Sequence, residues 1–425
     1  MLTASQCLDI VRAACPDLPL RSYSFNDRGQ NNDVLIVNGE FVFRFPRTAR
    51  AARQLRVEAA ILNHLQARVA LRVPNPVYLS LEEVSPSPSA RGSVPGGRSL
   101  HGQGAPLRSK RGPLSLATAG RLSTNQGPAG RIRLFGRGLR GAPSYRPLGG
   151  PGNSPDLTPG TRLPDGRMPW EQGLGGRLPW ESDPAVDTDG EAERVRQAQE
   201  ALRRAREAHK RGGTPGARGV FVGYRWIPGE PLWRDRLLAT DDSQTIQVWA
   251  DQMAAFLGEL HSTPIEGRLA ELLPPFDGRA RWANFYGRLQ NTVYPFMRRD
   301  ARASVSQLFD AFLGQPSNFD HPYALVHGDF SPSNILFDPD GRRLTGVIDF
   351  GSSGLDDPAL DLAALMSPYG YGEAFVRRLA RGYPITEPVL DRARFYVSTF
   401  ALQDALFGLE HGDAEAFNWG IEAYR

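Results

Sequence analysis

A change of composition divides this chain and limits which of its parts can fold together. Residues 85–218 contain 24 of the 45 glycines and 16 of the 35 prolines in the 425-residue sequence. That proportion is typical of low-complexity sequence, which buries too little apolar surface to form a core. We therefore predict that residues 85–218, called the insertion below, are mostly disordered. The core must then come from residues 1–84 and 219–425.

Charge separates the same parts of the chain. The insertion holds 22 of the 50 basic and 11 of the 46 acidic residues, a net charge of +11, so the remainder carries −7. Residues 85–155 have no acidic residue, which makes binding to a nucleic acid or an anionic surface one alternative function. That stretch has few aromatic side chains to stack on bases. The acidic remainder favours a cationic partner over a nucleic acid, and a solvated acidic surface with no such role is an equally good alternative.

The first 84 residues show the pattern of a small antiparallel sheet with helices. Residues 32–37 and 40–45 read as two strands, and Asn38-Gly39 between them is a strong two-residue hairpin signal. Apolar residues recur at helical spacing over residues 51–65, and residues 77–79 suggest an edge strand. A strand at 219–226 is predicted to complete this small lobe.

The rest of the chain is predicted to be mainly helical. Residues 243–261 form an amphipathic helix, and residues 227–425 form a helical lobe interrupted by a hairpin at 334–350. Within the insertion, residues 191–211 could form a lone helix that is polar on most faces, supported by pairs such as Glu200 with Arg204 and Glu207 with Arg211.

Targeting signals and cysteines give an expectation about the compartment. No apolar run approaches the roughly 20 residues of a membrane helix, and no signal peptide is evident. Cys7 and Cys15 lie eight positions apart on one predicted helix, too far for a bridge. We expect a cytoplasmic protein with two unbridged thiols.

One motif carries oxygen groups suited to phosphoryl transfer. Asp329 follows an apolar run, Asn334 comes five positions later, and Asp349 ends the return strand of a hairpin. A hairpin with its turn near residue 340 brings Asn334 and Asp349 together. One carboxylate would orient and deprotonate a hydroxyl, and the other two side chains are oxygen ligands of the kind that Mg²⁺ prefers. The sequence therefore predicts a catalytic base, Asp329, and a magnesium site.

The stretch 325–337 and the Ile-Asp-Phe-Gly sequence at 348–351 resemble the catalytic and metal loops of the aminoglycoside phosphotransferase family. Residues 43–47, 57–62, 224–229 and 357–363 resemble other parts of that family. The resemblance covers about 1–83 and 219–425. It implies an α+β, bilobal, protein-kinase-like fold, with a small antiparallel-sheet lobe and a larger, mainly helical lobe, interrupted here by the insertion.

The resemblance also implies roles for individual residues near the nucleotide. Asp329 would be the base, with His327 shaping its loop. The backbone from Tyr224 to Trp226 would hold the nucleotide base, and the loop containing Gly29 and Asn31 would lie over the phosphates.

The phosphate-binding cation is where this chain departs from the family. Its only two lysines, Lys110 and Lys210, both lie in the insertion. Arg44 occupies the position of the family's lysine, and we expect it to pair with Glu58. Arginine can bridge phosphate and carboxylate through its forked geometry. An ordinary surface ion pair between the two residues is the alternative.

Substrate contacts are predicted least directly. Asp404 and Glu410 lie where the family's helical lobe would carry acidic contacts, although a solvated helix face would also place them there. His261 is expected to be an ordinary helix-end residue, and Asp361 a structural hydrogen-bonding group near a helix start.

These expectations combine into one hypothesis. The chain would transfer the γ-phosphoryl group of ATP or GTP, with Mg²⁺, to a hydroxyl of an aminoglycoside-like acceptor. Alternatives are a kinase of choline, homoserine, a sugar or a macrolide, because one fold serves many substrates. Two further alternatives are a non-catalytic protein that binds nucleic acid through the insertion, and a kinase relic whose small lobe the insertion disrupts.

Overall fold

The computed structural model describes residues 2–26, 31–81, 188–212 and 219–425. The helices within these ranges are α1 (Ala4–Ala14), α2 (Ala49–Leu65), α3 (Thr188–Gly212), α4 (Arg234–Leu238), α5 (Ser243–His261), α6 (Gly267–Leu272), α7 (Gly278–Thr292), α8 (Arg299–Gly314), α9 (Ala359–Met366), α10 (Glu373–Val376), α11 (Glu387–His411) and α12 (Ala414–Ile421). The strands are β1 (Tyr23–Asn26), β2 (Asn32–Val37), β3 (Phe41–Pro46), β4 (Pro76–Ser80), β5 (Phe221–Arg225), β6 (Glu230–Pro231), β7 (Ala324–Val326), β8 (Ile335–Asp338), β9 (Arg343–Val347) and β10 (Gly354–Asp356).

The small lobe is built on an antiparallel sheet of five strands in the order β1-β2-β3-β5-β4. The strand after the insertion, β5, pairs with both β3 and β4, so the sheet is continuous across the insertion. This continuity argues against the relic hypothesis, which required a disrupted small lobe. β4 is an edge strand, as its sequence predicted.

Successive side chains of β3 point to opposite faces of the sheet, and this decides on which face Arg44 lies. Phe43 and Phe45 are fully buried in a cluster that also contains Val11 of α1. Because successive side chains of a strand point to opposite faces, Arg44 points to the other face, toward α2. Glu58 lies on α2 and is 2% exposed.

Local signals in the sequence located most of this lobe. Asn38 and Gly39 both have positive φ, 56° and 68°, as the predicted type I′ turn requires. Val37 pairs with Phe41, however, so the connection has three residues and not the two predicted. Thr3 and Gln6 form the capping box at the start of α1. The strand β1, which pairs with β2, was not predicted.

The large lobe is mainly helical, as predicted, and α5 forms its centre. This helix has the bounds expected from its periodicity and buries Trp249, Met253 and Phe256. Asp242 caps its N-terminus by accepting the Gln244 N–H at 3.0 Å. The hairpin of β8 and β9 packs beside it, because the Trp249 ring meets Phe337 at 5.9 Å.

The insertion contributes one described element, the helix α3, and this helix is not isolated. Ala198 and Leu202 are 4% and 7% exposed and belong to the main hydrophobic core. The backbone of Arg206 lies so close to Gly412 at the end of α11 that a side chain on Gly412 would clash. Although α3 is mostly polar, Ala198 and Leu202 therefore form a short apolar stripe that packs on the large lobe.

The remaining expectations for the insertion lie outside the described residues. Glu200 pairs with Arg204 as predicted, but the side chain of Arg211 is not among those described. Residues 82–187 and 213–218 are likewise outside the description. Their predicted disorder, the domain limits 1–84, 85–218 and 227–425, and nucleic-acid binding by 85–155 therefore stay predictions. In the described part of the chain, no helix is both long and apolar enough to span a membrane.

Candidate active site

The loop of residues 327–334, called the catalytic loop below, connects β7 to β8. Its glycine, Gly328, has a φ of +77°, and a Cβ there would clash with the Ser352 carbonyl. Only glycine fits this left-handed, close-packed position without strain. The Asp329 N–H donates to His327 Nδ1 at 3.2 Å, which ties the backbone of Asp329 to the buried imidazole.

Asn334 and Asp349 come together as the hairpin prediction required. Asn334 ends a 3₁₀ turn directly before β8, rather than lying in the strand as predicted. The side-chain Nδ2 of Asn334 donates to the backbone carbonyl of Asp329 at 2.8 Å. The backbone carbonyl of Asn334 accepts the Ile348 N–H at 2.9 Å. Asp349 follows Ile348 directly. The candidate base Asp329, the amide of Asn334 and the carboxylate of Asp349 therefore lie in one small region.

The backbone of Asp349 is itself unusual. Its φ and ψ are 64° and 66°, the left-handed region that non-glycine residues seldom adopt. Such conformations cost roughly 1–3 kcal/mol and persist where surrounding contacts impose them. Asp349 lies two residues after the end of β9, and its carboxylate contacts Arg44.

Arg44 joins the two lobes. Its Nη1 donates to Glu58 Oε1 at 2.7 Å and to Asp349 Oδ1 at 3.1 Å. The Tyr224 hydroxyl donates to the same Glu58 oxygen at 3.0 Å. The Arg44–Glu58 pair predicted from the sequence is therefore present, and it is no ordinary surface ion pair, because Glu58 is buried.

Burial and charge compete in this cluster. Burial lowers the pKa of Arg44, but the charges of Glu58 and Asp349 outweigh it and raise that pKa, so the guanidinium stays charged. For Glu58, burial outweighs the attraction of Arg44 and raises the pKa of the carboxyl. Burial and the Glu58 charge raise the pKa of the Tyr224 hydroxyl, which therefore remains a donor.

His327 is a scaffold residue, consistent with its predicted role of shaping the loop. Its side chain is fully buried, and Nε2 lies 3.0 Å from the Ile348 carbonyl. Burial lowers the pKa of the His327 imidazole, which favours the neutral ring. A neutral ring that donates from Nε2 accepts the Asp329 N–H at Nδ1.

Asp361, expected to be structural, holds the backbone of the catalytic loop. Its Oδ2 accepts the His327 N–H and its Oδ1 accepts the Gly328 N–H, both at 2.8 Å. His261 Nε2 lies 3.1 Å from Oδ2. Burial raises the pKa of Asp361, but the hydrogen bond and charge of His261 outweigh it and lower that pKa. Sequence reasoning missed the link from His261 to the loop, because the two residues are distant in sequence.

The predicted nucleotide contacts are only partly described. Gly29 lies outside the described residues. The Asn31 carbonyl accepts the Arg47 N–H at 2.9 Å, and the Trp226 N–H donates to the Glu40 carbonyl at 2.7 Å. Tyr224 uses its side chain to hold Glu58. Contacts of these residues with a nucleotide stay predictions.

The two predicted substrate residues lie on α11 in different surroundings. Glu410 forms a two-pronged ion pair with Arg288 of α7, at 2.5 and 2.6 Å from Nη2. Asp404 lies close enough to Tyr369 to contribute to the raised pKa of that phenol, after burial. Tyr369 and Trp419 are both exposed and their rings lie 5.6 Å apart. The structure does not bring Glu410 to the catalytic loop by any described contact.

Comparison with known proteins agrees with this geometry. The pattern of the phosphotransferase enzyme family, APH, matches residues 22–147 and 177–396. The chain is 32% identical to viomycin phosphotransferase of Streptomyces vinaceus over 201 residues, which are 47% of this chain and 67% of that protein. It is 28% identical to aminoglycoside 3'-phosphotransferase of Escherichia coli over 177 residues, which are 40% of this chain and 61% of that protein.

The fold has counterparts among solved structures. The GDP and kanamycin complex of APH(2'')-IIIa superposes with a TM-score of 0.61 at 19% identity, covering 98% of this chain and 96% of that one. The likeness confirms the bilobal, protein-kinase-like fold. The chain belongs to the phosphotransferase enzyme family. The sequence alignments cover only part of each relative, so the reaction of this chain is argued separately below.

Proposed function

We propose that this protein transfers the γ-phosphoryl group of ATP or GTP to a hydroxyl of a small cationic antibiotic. The observation that carries the proposal is the bridge made by Arg44, whose Nη1 contacts both Glu58 and Asp349. A guanidinium fixed between a helix of the small lobe and the carboxylate beside Asn334 is placed to hold phosphates between the lobes.

The donor set beside the loop fits Mg²⁺. The nitrogen of the Asn334 amide is committed to the Asp329 carbonyl, which leaves its oxygen as the atom able to face a cation. Asp349 supplies carboxylate oxygens, and Mg²⁺ takes its other ligands from phosphates and water. Bound there with the nucleotide, the ion would neutralise charge that develops on the transferred group.

The protein's own groups would do the remaining work. The carboxylate of Asp329 orients the acceptor hydroxyl and accepts its proton as the oxygen attacks the γ-phosphorus. The bond between that phosphorus and the β–γ bridging oxygen breaks, and its electron pair leaves with the nucleoside diphosphate. Arg44 stabilises the phosphate charge, and the Asp361 contacts keep the Asp329 backbone in place.

The acceptor class rests on charge and on the relatives. Outside the insertion the chain carries a net charge of −7, which attracts a cation. The relative from Streptomyces vinaceus is named for viomycin and that from Escherichia coli for aminoglycosides. We therefore place viomycin and the aminoglycosides first among the acceptors, before a homoserine, choline, sugar or macrolide.

A turnover experiment tests the proposal. Purified protein with Mg²⁺ and ATP, or GTP, is assayed with viomycin, kanamycin and other aminoglycosides, beside Asp329→Ala and the exposed control Asp340→Ala. We expect acceptor-dependent formation of nucleoside diphosphate and of a phosphorylated antibiotic. Removing a general base costs about 10²–10⁴-fold in turnover, so Asp329→Ala should lose at least that much while Asp340→Ala retains its rate.

Two outcomes would count against the proposal. Turnover that is equal with and without every antibiotic would discard the acceptor class. An Asp329→Ala variant as active as the wild type would remove the assigned base.

A further inference from the structure

We propose that α3 is a strap that fastens the small lobe to the large lobe and limits how far the two lobes can rotate apart. This helix belongs to the insertion and lies outside the nucleotide and metal site described above. The effect of the strap on nucleotide binding rests on the proposed function, whereas its effect on the separation of the lobes does not.

One face of α3 is fixed to the large lobe. Ala198 and Leu202 are buried, and α3 packs on α11 and on the 3₁₀ turn Tyr294–Phe296. Closer to the C-terminal end of α3, the backbone of Arg206 lies against Gly412, where α11 ends. From Ala198 to Arg206 these contacts extend over about 12 Å of helix, so α3 has a defined position on the large lobe.

The chain runs from α3 directly into the sheet of the small lobe. Residues 213–218, called the link below, join Gly212 at the end of α3 to Gly219, and a chain of that length reaches at most roughly 25 Å. Val220 is 2% exposed, and β5 then pairs with β3 on one side and with β4 on the other. The distance between the sheet and the docked helix is therefore limited by the link.

The opposite end of β5 leads into the hinge between the lobes. After Trp226 the chain forms β6, which pairs with β8 of the large lobe, and the Leu232 N–H donates to the Ile335 carbonyl at 2.8 Å. Thus β5 is attached to the large lobe at both of its ends, which are roughly 14 Å apart. A body held at one point can turn in any direction, whereas a body held at two points can turn only about the line that joins them. The strap therefore restricts twisting and opening of the small lobe.

The restricted motion acts on the contact that joins the lobes at the candidate site. Arg44 lies on β3, which pairs with β5, and its Nη1 meets Asp349 of the large lobe at 3.1 Å. Tyr224 of β5 donates to Glu58, the other partner of Arg44. Holding β5 in place keeps the phosphate-binding cation opposite the metal ligands before a nucleotide arrives. Such preorganisation raises affinity, because less motion is lost on binding.

Lengthening the link separates the strap from the stability of α3. We would insert about twelve glycine and serine residues between Gly213 and Thr214, which roughly triples the link and leaves every existing side chain in place. The matched control carries the same insert between Val186 and Asp187, on the other side of α3, where it does not lengthen the connection to β5. Leu202→Ala, which weakens the docking of α3 itself, is a third variant.

Two measurements follow the lobes and the nucleotide separately. Spin labels attached to cysteines in Arg50→Cys of α2 and Glu415→Cys of α12, both exposed positions, report the distance between the lobes by electron double resonance without nucleotide. Cys7 and Cys15 are buried, which protects them from labelling. The dissociation constants of ADP and GDP with Mg²⁺, and the thermal midpoint, are measured on the unlabelled proteins.

The longer link should broaden the distance distribution and shift it to larger distances, while the control insert should match the wild type. The nucleotide dissociation constant should rise by roughly 2–5-fold with the longer link, because the effective concentration that a tether supplies falls roughly as the −3/2 power of its length. The thermal midpoints of the two inserted proteins should agree. Leu202→Ala should shift the distances and the dissociation constant in the same direction as the longer link.

A longer link that leaves the distance distribution of the wild type unchanged would overturn the proposal. So would a control insert that broadens the distribution as much, because the effect would then not depend on the connection to β5. Broader distances with unchanged dissociation constants would overturn the effect on nucleotide binding. The distances need no nucleotide, so the two proposals can fail separately. If the distances respond as expected but the wild type binds neither ADP nor GDP, the strap stands and the proposed function fails.

Discussion

Arg44 shows how one residue can serve both stability and activity. It is the cation for a buried carboxylate, Glu58, and also the link to Asp349. Arg44→Met should destabilise the fold by about 3 kcal/mol, because it leaves a buried carboxylate without its cation, although the Tyr224 hydroxyl still donates to it. Adding Glu58→Met should restore much of that stability without restoring turnover, since the phosphate-binding cation is still missing. Urea denaturation and turnover of the two variants check this.

The pH dependence of the same variant follows from Glu58. Its folded pKa is already raised from 4.5 by burial, and loss of Arg44 removes the largest opposing effect. A raised folded pKa means that the folded state holds the proton more tightly, so stability falls as the pH rises from 4.5 through that folded pKa. The deficit of Arg44→Met relative to wild type should therefore be larger at pH 8 than at pH 5. An equal deficit at both pH values would show that Glu58 is not the residue left unpaired.

At the scale of elements, α3 makes the clearest prediction. Leu202 is buried in the main core, although the helix belongs to the polar insertion. Leu202→Ala should cost about 2 kcal/mol or more, as expected for a leucine removed from a core. Arg203→Ala, on the exposed surface of the same helix, should stay within about 0.5 kcal/mol of wild type. Thermal or urea unfolding measures the stability of the two variants. Equal stability of Leu202→Ala and Arg203→Ala would show that α3 does not dock in solution.

The elements also show what sequence alone could supply. Short-range signals located the Asn38-Gly39 turn, the capping box of α1 and the limits of α5, because each depends on residues within a few positions of one another. The docking of α3 was not predictable, since two apolar side chains in a charged helix acquire meaning only from the surface they meet. The strand β1 was missed for a related reason: none of its four residues is fully buried, so no apolar alternation marks it.

In the candidate site, too, contacts between residues close in sequence could be predicted, and contacts between distant residues could not. Asn334 and Asp349 flank the two ends of one hairpin, so their proximity could be inferred from strand register, and Asp329 precedes that hairpin by a few residues. The Arg44–Glu58 pair required the family resemblance, because the two residues are 14 positions apart on different elements. The contacts of His261 with Tyr383 and with Asp361 span separations of 122 and 100 residues, and no local pattern indicates them.

At the scale of the whole molecule, charge distribution predicts how salt affects the reaction. The chain outside the insertion has a net charge of −7 and the insertion +11, so the net charge of +4 describes neither part. If the acceptor is a cation drawn to the acidic part, raising ionic strength should weaken its capture by screening, because the screening length falls from ~10 Å at 0.1 M to ~3 Å at 1 M salt.

The acceptor KM should therefore rise several-fold between about 0.1 and about 1 M potassium chloride. The kcat should change little, because the bound acceptor lies among fixed groups that bulk salt screens less. Steady-state kinetics with a polycationic antibiotic and with a neutral hydroxyl compound as control would measure this. Equal salt dependence for the charged and the neutral acceptor would mean that the acidic character of the chain outside the insertion plays no role in acceptor selection.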